Sequence, residues 1–553
     1  MAILNNIFGM IVFQDIHPDF DSTNKFFFQN HPIIPTVMKK TMTVSSLLQL
    51  SILVGSSVLL SCARTDKNRL PDPTIEPGTA EVSGRVAGYK REKDKKAPII
   101  GMYYSNPVTA ERTRVETRLS DEGIFEFEVP VETNTLGHLF SDTYEFTIAV
   151  PLEAGKKVSV ELIGDDSIRV AHAGRMKPTP YDMTNYAPAL SKFVLYPPDR
   201  TNLYEMSPEA FIRHETERLA ERSAFALDSM SFSEPVRTLL LNEFKLMILK
   251  GRLLAYKESV ERNYRNLMTD PEGEPFSAQE PGRSYYSFLR RFDLNDPQYL
   301  YNDAYIDVMQ YMLDTDSLSI PSIGDTPVPQ WLDTVKAAIA DLIGFDSGLF
   351  YDMLAANAYA RQFNTEAKAL TDTQRKNIES YFKNGGIART LLAKNAQVVE
   401  DEEAKKALVI NDTPEVPDEH LMETIVSKYK GRPVVVDFWA TWCGPCLASV
   451  SLTKKVRGEM KDRGVVFVYI TTESSPREEW RQKIESIIGE HYYLTREQWN
   501  HLLGSFGFDE IPSYLFYDRD GALKDKKTGG LSEMSMREKI EALLPASEHN
   551  PKR

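Results

Sequence analysis

The sequence predicts a multidomain chain with an N-terminal β-sandwich, a middle α-helical domain and a C-terminal α/β domain. Three observations carry that prediction. Apolar and polar residues alternate with period two within 80–175, the period turns helical within 200–405, and a β-branched run meets a Cys-Gly-Pro-Cys within 406–548. At 553 residues the chain is also too long for a single core. Its net charge of −14 comes without any basic stripe, so nucleic acid is not an expected partner. Only three cysteines occur, Cys62, Cys443 and Cys446, which leaves no structural disulfide framework and makes each domain depend on its apolar core.

The first 37 residues are aromatic and irregular and lack the charged start of an export signal. A complete signal begins at Met38, with Lys39 and Lys40 as the charged region and Val44 to Leu60 as the apolar one. The expectation is therefore an upstream extension over 1–37, translation from Met38 and a signal peptide over 38–61. Leu59-Leu60-Ser61-Cys62 resembles a bacterial lipobox, in which the cysteine receives a diacylglyceryl group and then an N-acyl chain. Leu60 is bulkier than is usual there. The resemblance implies lipidation at Cys62 and a chain tethered to, not spanning, a membrane, since several acyl chains hold where one holds only marginally. No strongly acidic cluster follows Cys62, and the tether is expected to face the periplasm.

Residues 62–79, rich in Pro, Asp and Thr, read as a proline-stiffened linker. Ala80–Val86, Ile124–Val129, Tyr144–Val150 and Val158–Leu162 then alternate as half-buried strands of a sandwich over 80–175. This region resembles the small sandwich that precedes thioredoxin domains in lipoproteins of Bacteroidota type. His138 and His172 are isolated and are not expected to be ligands. In 200–405, Ser207-Pro208-Glu209 is an N-cap with proline at the first helical position, and Phe211, Leu219 and Phe225 mark an apolar stripe. A helix near Pro235 and others at 330–343, 348–362, 371–383 and 387–406 give five to seven in all. The tyrosines at 285, 286, 299, 301, 305 and 311 are read as packing rather than as a ligand cage, with a partner-docking groove as the sharper alternative.

In the C-terminal region Val434 to Val436 reads as a buried parallel strand handing over to a helix at Cys443-Gly444-Pro445-Cys446. A sulfur at Cys443 faces unpaired N–H groups and the positive end of the helix dipole, which favour thiolate. Cys446, three residues on, lies on the same face within disulfide reach, and Pro445 suits a turn whose N–H would be unpaired anyway. A zinc site would need a second Cys or His pair at ligand spacing, and the sequence offers none. Val435 to Cys446 resembles the thioredoxin active site almost residue for residue. The resemblance implies Cys443 as nucleophile, with a pKa of roughly 7 against about 8.5 for a free cysteine. It further implies Cys446 as resolver, Asp437 as a buried carboxylate assisting proton transfer at Cys446, and Trp442, Gly444 and Pro445 flanking the target.

Val465 to Ile470 reads as a second parallel strand after a helix running to about Lys461, and Pro476 to Ile488 as a further helix. A segment inserted at 492–508 resembles the exported thioredoxin-like reductases of the TlpA and ResA type. Ile511-Pro512 matches the position of that family's cis-proline, with the Ile511 backbone free to pair with a target. The second strand lacks the lysine that partners the buried carboxylate in ordinary thioredoxins; if Asp437 is buried without that partner, desolvation should raise its pKa further and slow proton exchange at Cys446.

Taken together, the resemblance implies a membrane-tethered periplasmic thiol-disulfide oxidoreductase, reducing disulfides of exported proteins and recharged by a membrane thiol-disulfide donor. No cofactor is expected beyond the Cys443–Cys446 disulfide, and no metal. Two alternatives stand beside it: a thioredoxin-fold peroxidase, and a partner-binding lipoprotein in which the redox pair is secondary.

Overall fold

The structure, a computed structural model, describes residues 69–91, 96–141, 143–163, 168–172, 174–267, 276–405, 408–485 and 487–544. The expected upstream extension, the expected signal peptide, Cys62 and the expected linker up to residue 68 lie outside the described residues. No helix among the described residues is long and apolar enough to cross a membrane.

Eight strands come first: β1 (Ile75–Val86), β2 (Ile99–Asn106), β3 (Glu111–Arg118), β4 (Ile124–Thr133), β5 (Thr135–Ser141), β6 (Phe146–Leu152), β7 (Lys157–Leu162) and β8 (Ile168–His172). They form two four-stranded sheets, ordered β4-β1-β7-β8 and β3-β2-β5-β6. Both sheets feed one apolar cluster, Val82, Phe125, Val129 and Val160 from the first and Ile100, Met102, Leu139 and Ile148 from the second. The alternation along β4, where Phe125, Phe127 and Val129 are buried between exposed neighbours, is the period-two signal made physical. β2 and β5 show no such alternation. Every residue of β5 is buried, because helices cover the face that the other sheet does not.

The middle region holds, among the described residues, nine α-helices: α1 (Pro180–Val194), α2 (Pro208–Leu227), α3 (Glu234–Ile248), α4 (Tyr256–Leu267), α5 (Asp303–Asp314), α6 (Val328–Ile343), α7 (Leu349–Asn364), α8 (Asp372–Phe382) and α9 (Gly386–Lys405). Caps fix several starts. Ser207 Oγ accepts from the Ala210 N–H, and Thr179 and Thr371 form capping boxes with Asp182 and Gln374. The tyrosine stripe is packing: the Tyr285, Tyr301 and Tyr305 hydroxyls donate to the Leu253, Pro71 and Leu294 carbonyls.

Three expectations need correction. The helical region begins at Pro180, not near 200, and it is not a separate core: Val108, Leu136 and Ala149 of the sheet region belong to its apolar cluster, and Asn357 donates to the Pro107 carbonyl at 2.9 Å. The end of the expected linker is packed structure, with Leu70 buried in that cluster, Gln298 donating to its carbonyl, and β1 starting at Ile75 instead of 80. Phe225 leaves the apolar stripe. It is exposed and stacks edge-on against Tyr196, because the buried face of α2 is completed by Ala226 and Leu227.

The C-terminal domain contains β9 (Val409–Asn411), α10 (Asp418–Ser427), β10 (Val434–Phe438), α11 (Gly444–Leu452), α12 (Lys454–Asp462), β11 (Val466–Thr472), α13 (Arg477–Ile484), β12 (Glu490–Leu494), α14 (Arg496–Phe506), β13 (Ser513–Tyr517), β14 (Leu523–Thr528) and α15 (Glu533–Glu541). Its sheet runs β14-β13-β10-β11-β12-β9, with β10 central, parallel to β11 and antiparallel to β13. All five residues of β10 are buried, as a strand covered on both faces requires. The expected single helix after the cysteines is two, α11 and α12, meeting at Thr453. The inserted segment carries a strand, β12, before its helix α14, so the helix expected to reach 488 ends at Ile484.

Candidate active site

Cys443 is the N-cap of α11, and its Sγ lies 3.2 Å from the Cys446 backbone N–H. The helix forms here because β10 ends at Phe438, Ala440 to Cys443 turn the chain, and Pro445 in the first turn demands no N–H partner. Cys443 and Cys446 are joined as a disulfide, their Cα atoms 5.3 Å apart. Both are buried, Cys443 at 4% and Cys446 at 1% exposure, whereas Trp442 is 59% exposed and Pro445 also faces solvent. The Trp442 indole N–H donates to Ser474 Oγ at 3.2 Å, which anchors an exposed ring next in sequence to Cys443.

From the opposite side comes the loop before β13. The Ile511–Pro512 peptide bond is cis, and the Ile511 carbonyl oxygen lies 3.8 Å from Cys443 Sγ. The structure thus brings Cys443, Cys446, Ile511 and Pro512 together, with Trp442, Gly444 and Pro445 along the rim.

Asp437 lies deeper, on β10, and the condition of burial without a cation is not met. Arg457 of α12 donates from Nη2 to Asp437 Oδ2 at 2.8 Å, both side chains being almost fully buried. The same guanidinium donates from Nη1 to the Tyr469 hydroxyl at 2.8 Å and from Nε to Thr453 Oγ1 at 2.7 Å. The cation missing from the second strand arrives instead from the helix. Burial still holds the Asp437 carboxyl above its usual range, with Arg457 opposing the shift. Burial works against the Arg457 charge, and the ion pair and hydrogen bond with Asp437 favour it.

Sequence reasoning missed Arg457. The signal was available: it sits between Val456 and Met460 on the face of α12 that enters the core, where a charge requires a partner. It also missed Ser449, whose Oγ accepts from the Tyr514 hydroxyl at 2.8 Å and the Leu531 N–H at 3.1 Å, tying α11 to β13 and the loop before α15.

The one group of side chains with the closeness of metal ligands among the described residues is Asp199, His214 and Glu215. It lies in the helical region, and Arg252 at 2.8 Å from Glu215 and Arg218 at 3.6 Å from Asp199 make it an ion-pair network.

A family model described as Redoxin matches residues 406–544. The thiol-disulfide oxidoreductase ResA of Halalkalibacterium halodurans is 23% identical over 116 residues, 21% of this chain and 65% of that protein. ResA of Geobacillus thermodenitrificans is 21% identical over 120 residues, 22% of this chain and 68% of that one. Among solved structures, the thioredoxin domain of a thiol-disulfide oxidoreductase from Bacteroides vulgatus is 24% identical, the match covering 21% of this chain and 81% of that one with a TM-score of 0.19. The chain therefore spans about two thirds of the length of the ResA relatives, and each match takes up about one fifth of it. By the family match, the cysteine pair at the head of α11 and the cis-proline beside it, residues 406–544 are a thioredoxin-like domain of the redoxin type, whose relatives are thiol-disulfide oxidoreductases.

Proposed function

We propose that the chain is a lipid-anchored, periplasm-facing reductant of protein disulfides working through Cys443 and Cys446. The observation that carries this reading is the placement of Cys443 Sγ at the mouth of α11, against the Cys446 N–H and the carbonyl before the cis-proline. In the reduced state the helix N–H groups and dipole favour a thiolate at Cys443, which attacks a target disulfide held beside Trp442 and along Ile511. Cys446 then gives up its proton with help from Asp437 and attacks Cys443. The target sulfur leaves, and the 443–446 disulfide closes. The Gly-Pro pair between the cysteines is that of thioredoxin, whose potential near about −270 mV is reducing. In an oxidising compartment such a protein needs a membrane thiol-disulfide donor to be reduced again, and anchoring at Cys62 would keep it beside one. Disulfide-bearing exported proteins are the proposed targets, and we read the two N-terminal sheets as a sandwich.

The test is insulin-disulfide reduction by the mature protein and by Cys443→Ser. Activity in the first and its loss in the second support the proposal; an inactive mature protein contradicts it. A second reading, that the sheets and helices bind a partner and redox chemistry is secondary, is favoured by the size of the shared core they build. A mixed-disulfide trap with Cys446→Ser in cells separates the two. Captured exported proteins support reduction as the main role, and a trap that stays empty supports binding.

A further inference from the structure

We propose that Arg457 is the positioning residue of the Asp437 carboxylate: it fixes which oxygen receives the proton released at Cys446 and sets the pH above which that oxygen can take it. This rests on the reading of Cys443 and Cys446 as a disulfide-reducing pair. Each of three guanidinium nitrogens is engaged by a different element, Nε by Thr453, where α11 meets α12, Nη1 by Tyr469 of β11, and Nη2 by Asp437 of β10. Thr453 Oγ1 in turn donates to the Ser449 carbonyl at 2.6 Å, so the anchor belongs to the same helix as the cysteines. A guanidinium held at both ends presents a rigid fork, and the carboxylate bonded to it cannot rotate freely.

With Oδ2 taken, Oδ1 is left buried and without a hydrogen-bond partner among the described residues. Oδ1 is thus the oxygen the ion pair leaves open to a proton, and we assign it the one from Cys446. The titratable groups linked to this carboxylate are Arg457 from α12, which acts on it, and Tyr469 from β11 and Tyr514 from β13, on which it acts, with Cys446 on α11 as the thiol to be ionised. Burial holds both tyrosine hydroxyls above their usual range, so they stay neutral. Among the described residues Arg457 is the one positive charge that acts on Asp437.

The step balances as follows. In the mixed disulfide between Cys443 and the target, the Cys446 thiol gives its proton to Asp437 Oδ1. The thiolate then attacks Cys443 Sγ, the 443–446 bond forms, and the bond to the target breaks. The target sulfur leaves with the electron pair and is protonated by solvent. The target gains two electrons and the cysteine pair loses them. Without Arg457, burial would act on Asp437 unopposed, and the carboxyl would keep its proton to higher pH.

The experiment is single-turnover reduction of insulin by the pre-reduced full chain between about pH 6 and about pH 10, for wild type, Arg457→Met, Arg457→Lys, Asp437→Asn and the Arg457→Met/Asp437→Asn double variant. A neighbouring opposite charge lowers a carboxyl pKa by about 1–3 units, so Arg457→Met should move the rising limb upward by about that much, with Arg457→Lys recovering part of it. In the Asp437→Asn background Arg457→Met should move nothing. A wild-type midpoint in Arg457→Met, or a further shift in the double variant, overturns the proposal. If Arg457→Met does not fold, the two Asp437→Asn variants decide, since neither buries a lone carboxylate. A wild type that leaves insulin intact at every pH refutes the proposed function instead. In that case the Asp437 carboxyl, titrated by carbon NMR in reduced wild type and Arg457→Lys, still decides the role of Arg457: an upward displacement supports it and identical titrations overturn it.

Discussion

Removing one member of the Arg457–Asp437 pair should destabilise the C-terminal domain far more than removing both. The two side chains are 6% and 2% exposed, so neither charge can turn to water when the other is gone. Breaking a buried pair by deleting one partner costs about 3–5 kcal/mol, whereas replacing both with neutral groups is often near neutral. Arg457→Met belongs at the upper end of that range, because it also strips the Tyr469 hydroxyl and Thr453 Oγ1 of a donor. Asp437→Asn belongs at the lower end, since its amide oxygen can still accept from Nη2. The double variant should recover at least about 2 kcal/mol relative to Arg457→Met alone, a coupling typical of groups in one network. The assay is urea unfolding of the oxidised protein at neutral pH by tryptophan fluorescence. Trp439, Trp442, Trp480 and Trp499, four of the five tryptophans, lie in this domain, so its transition dominates the signal. Strict additivity, or a loss under about 1 kcal/mol for Arg457→Met, would refute the argument that the pair is desolvated.

Two further outcomes follow from the site and its surroundings. His491 is stacked on Tyr469 with ring centroids 4.9 Å apart, its Nε2 is 2.7 Å from the Ile487 carbonyl, and burial pushes its pKa down to about 4. Because the unfolded chain takes up that proton first, at about 6.5, its contribution is present above that pH and fades as pH falls toward 4, by about 3 kcal/mol. Urea unfolding of wild type and His491→Phe at several pH values between these limits checks it, and parallel pH profiles would remove His491 from the account. Trp442→Ala should leave stability within about 0.5 kcal/mol of wild type, since the ring is exposed. It should raise the KM for insulin by roughly 2- to 12-fold, the worth of an aromatic contact of about 0.5–1.5 kcal/mol. Steady-state kinetics read this directly, and a fall in kcat at constant KM would place the ring elsewhere in the reaction.

What the sequence disclosed depended on whether local pattern and tertiary surroundings agreed. The head of α11 was legible because a buried strand, two cysteines and a proline all specify one turn. The helices at 328–343, 349–364 and 372–382 were legible because their stripes and caps are local. β2 and β5 were not, because burial on both faces erases the alternation that marks a strand. α1 escaped notice in spite of its Thr179–Asp182 capping box, since Pro188 inside it reads as a break. Arg457 was the costliest omission. The strand beside Asp437 offers no cation, while the fold delivers one from a helix twenty residues along the chain.

That helix also shows how the redox site relates to the rest of the molecule. Arg457 enters the core from one face of α12, and from another Glu459 meets Arg537 of α15 at 2.6 Å. The next residue, Glu538, pairs with Arg118 of β3 and with Lys96, at 2.8 and 2.9 Å, joining the C-terminal domain to the N-terminal sheets. The two sets of contacts differ in strength. The inner pair is almost waterless and costs several kcal/mol to break, while the outer pairs are partly exposed, screened by salt and worth about 0–1 kcal/mol each. Loss of the outer contacts would leave the carboxylate and its buried partner in place. The buried polar groups that shape the disulfide site, Asp437, Arg457, Tyr469, Thr453 and Ser449, all belong to residues 406–544. The polar contacts that shape the disulfide site are therefore built from that domain's own residues.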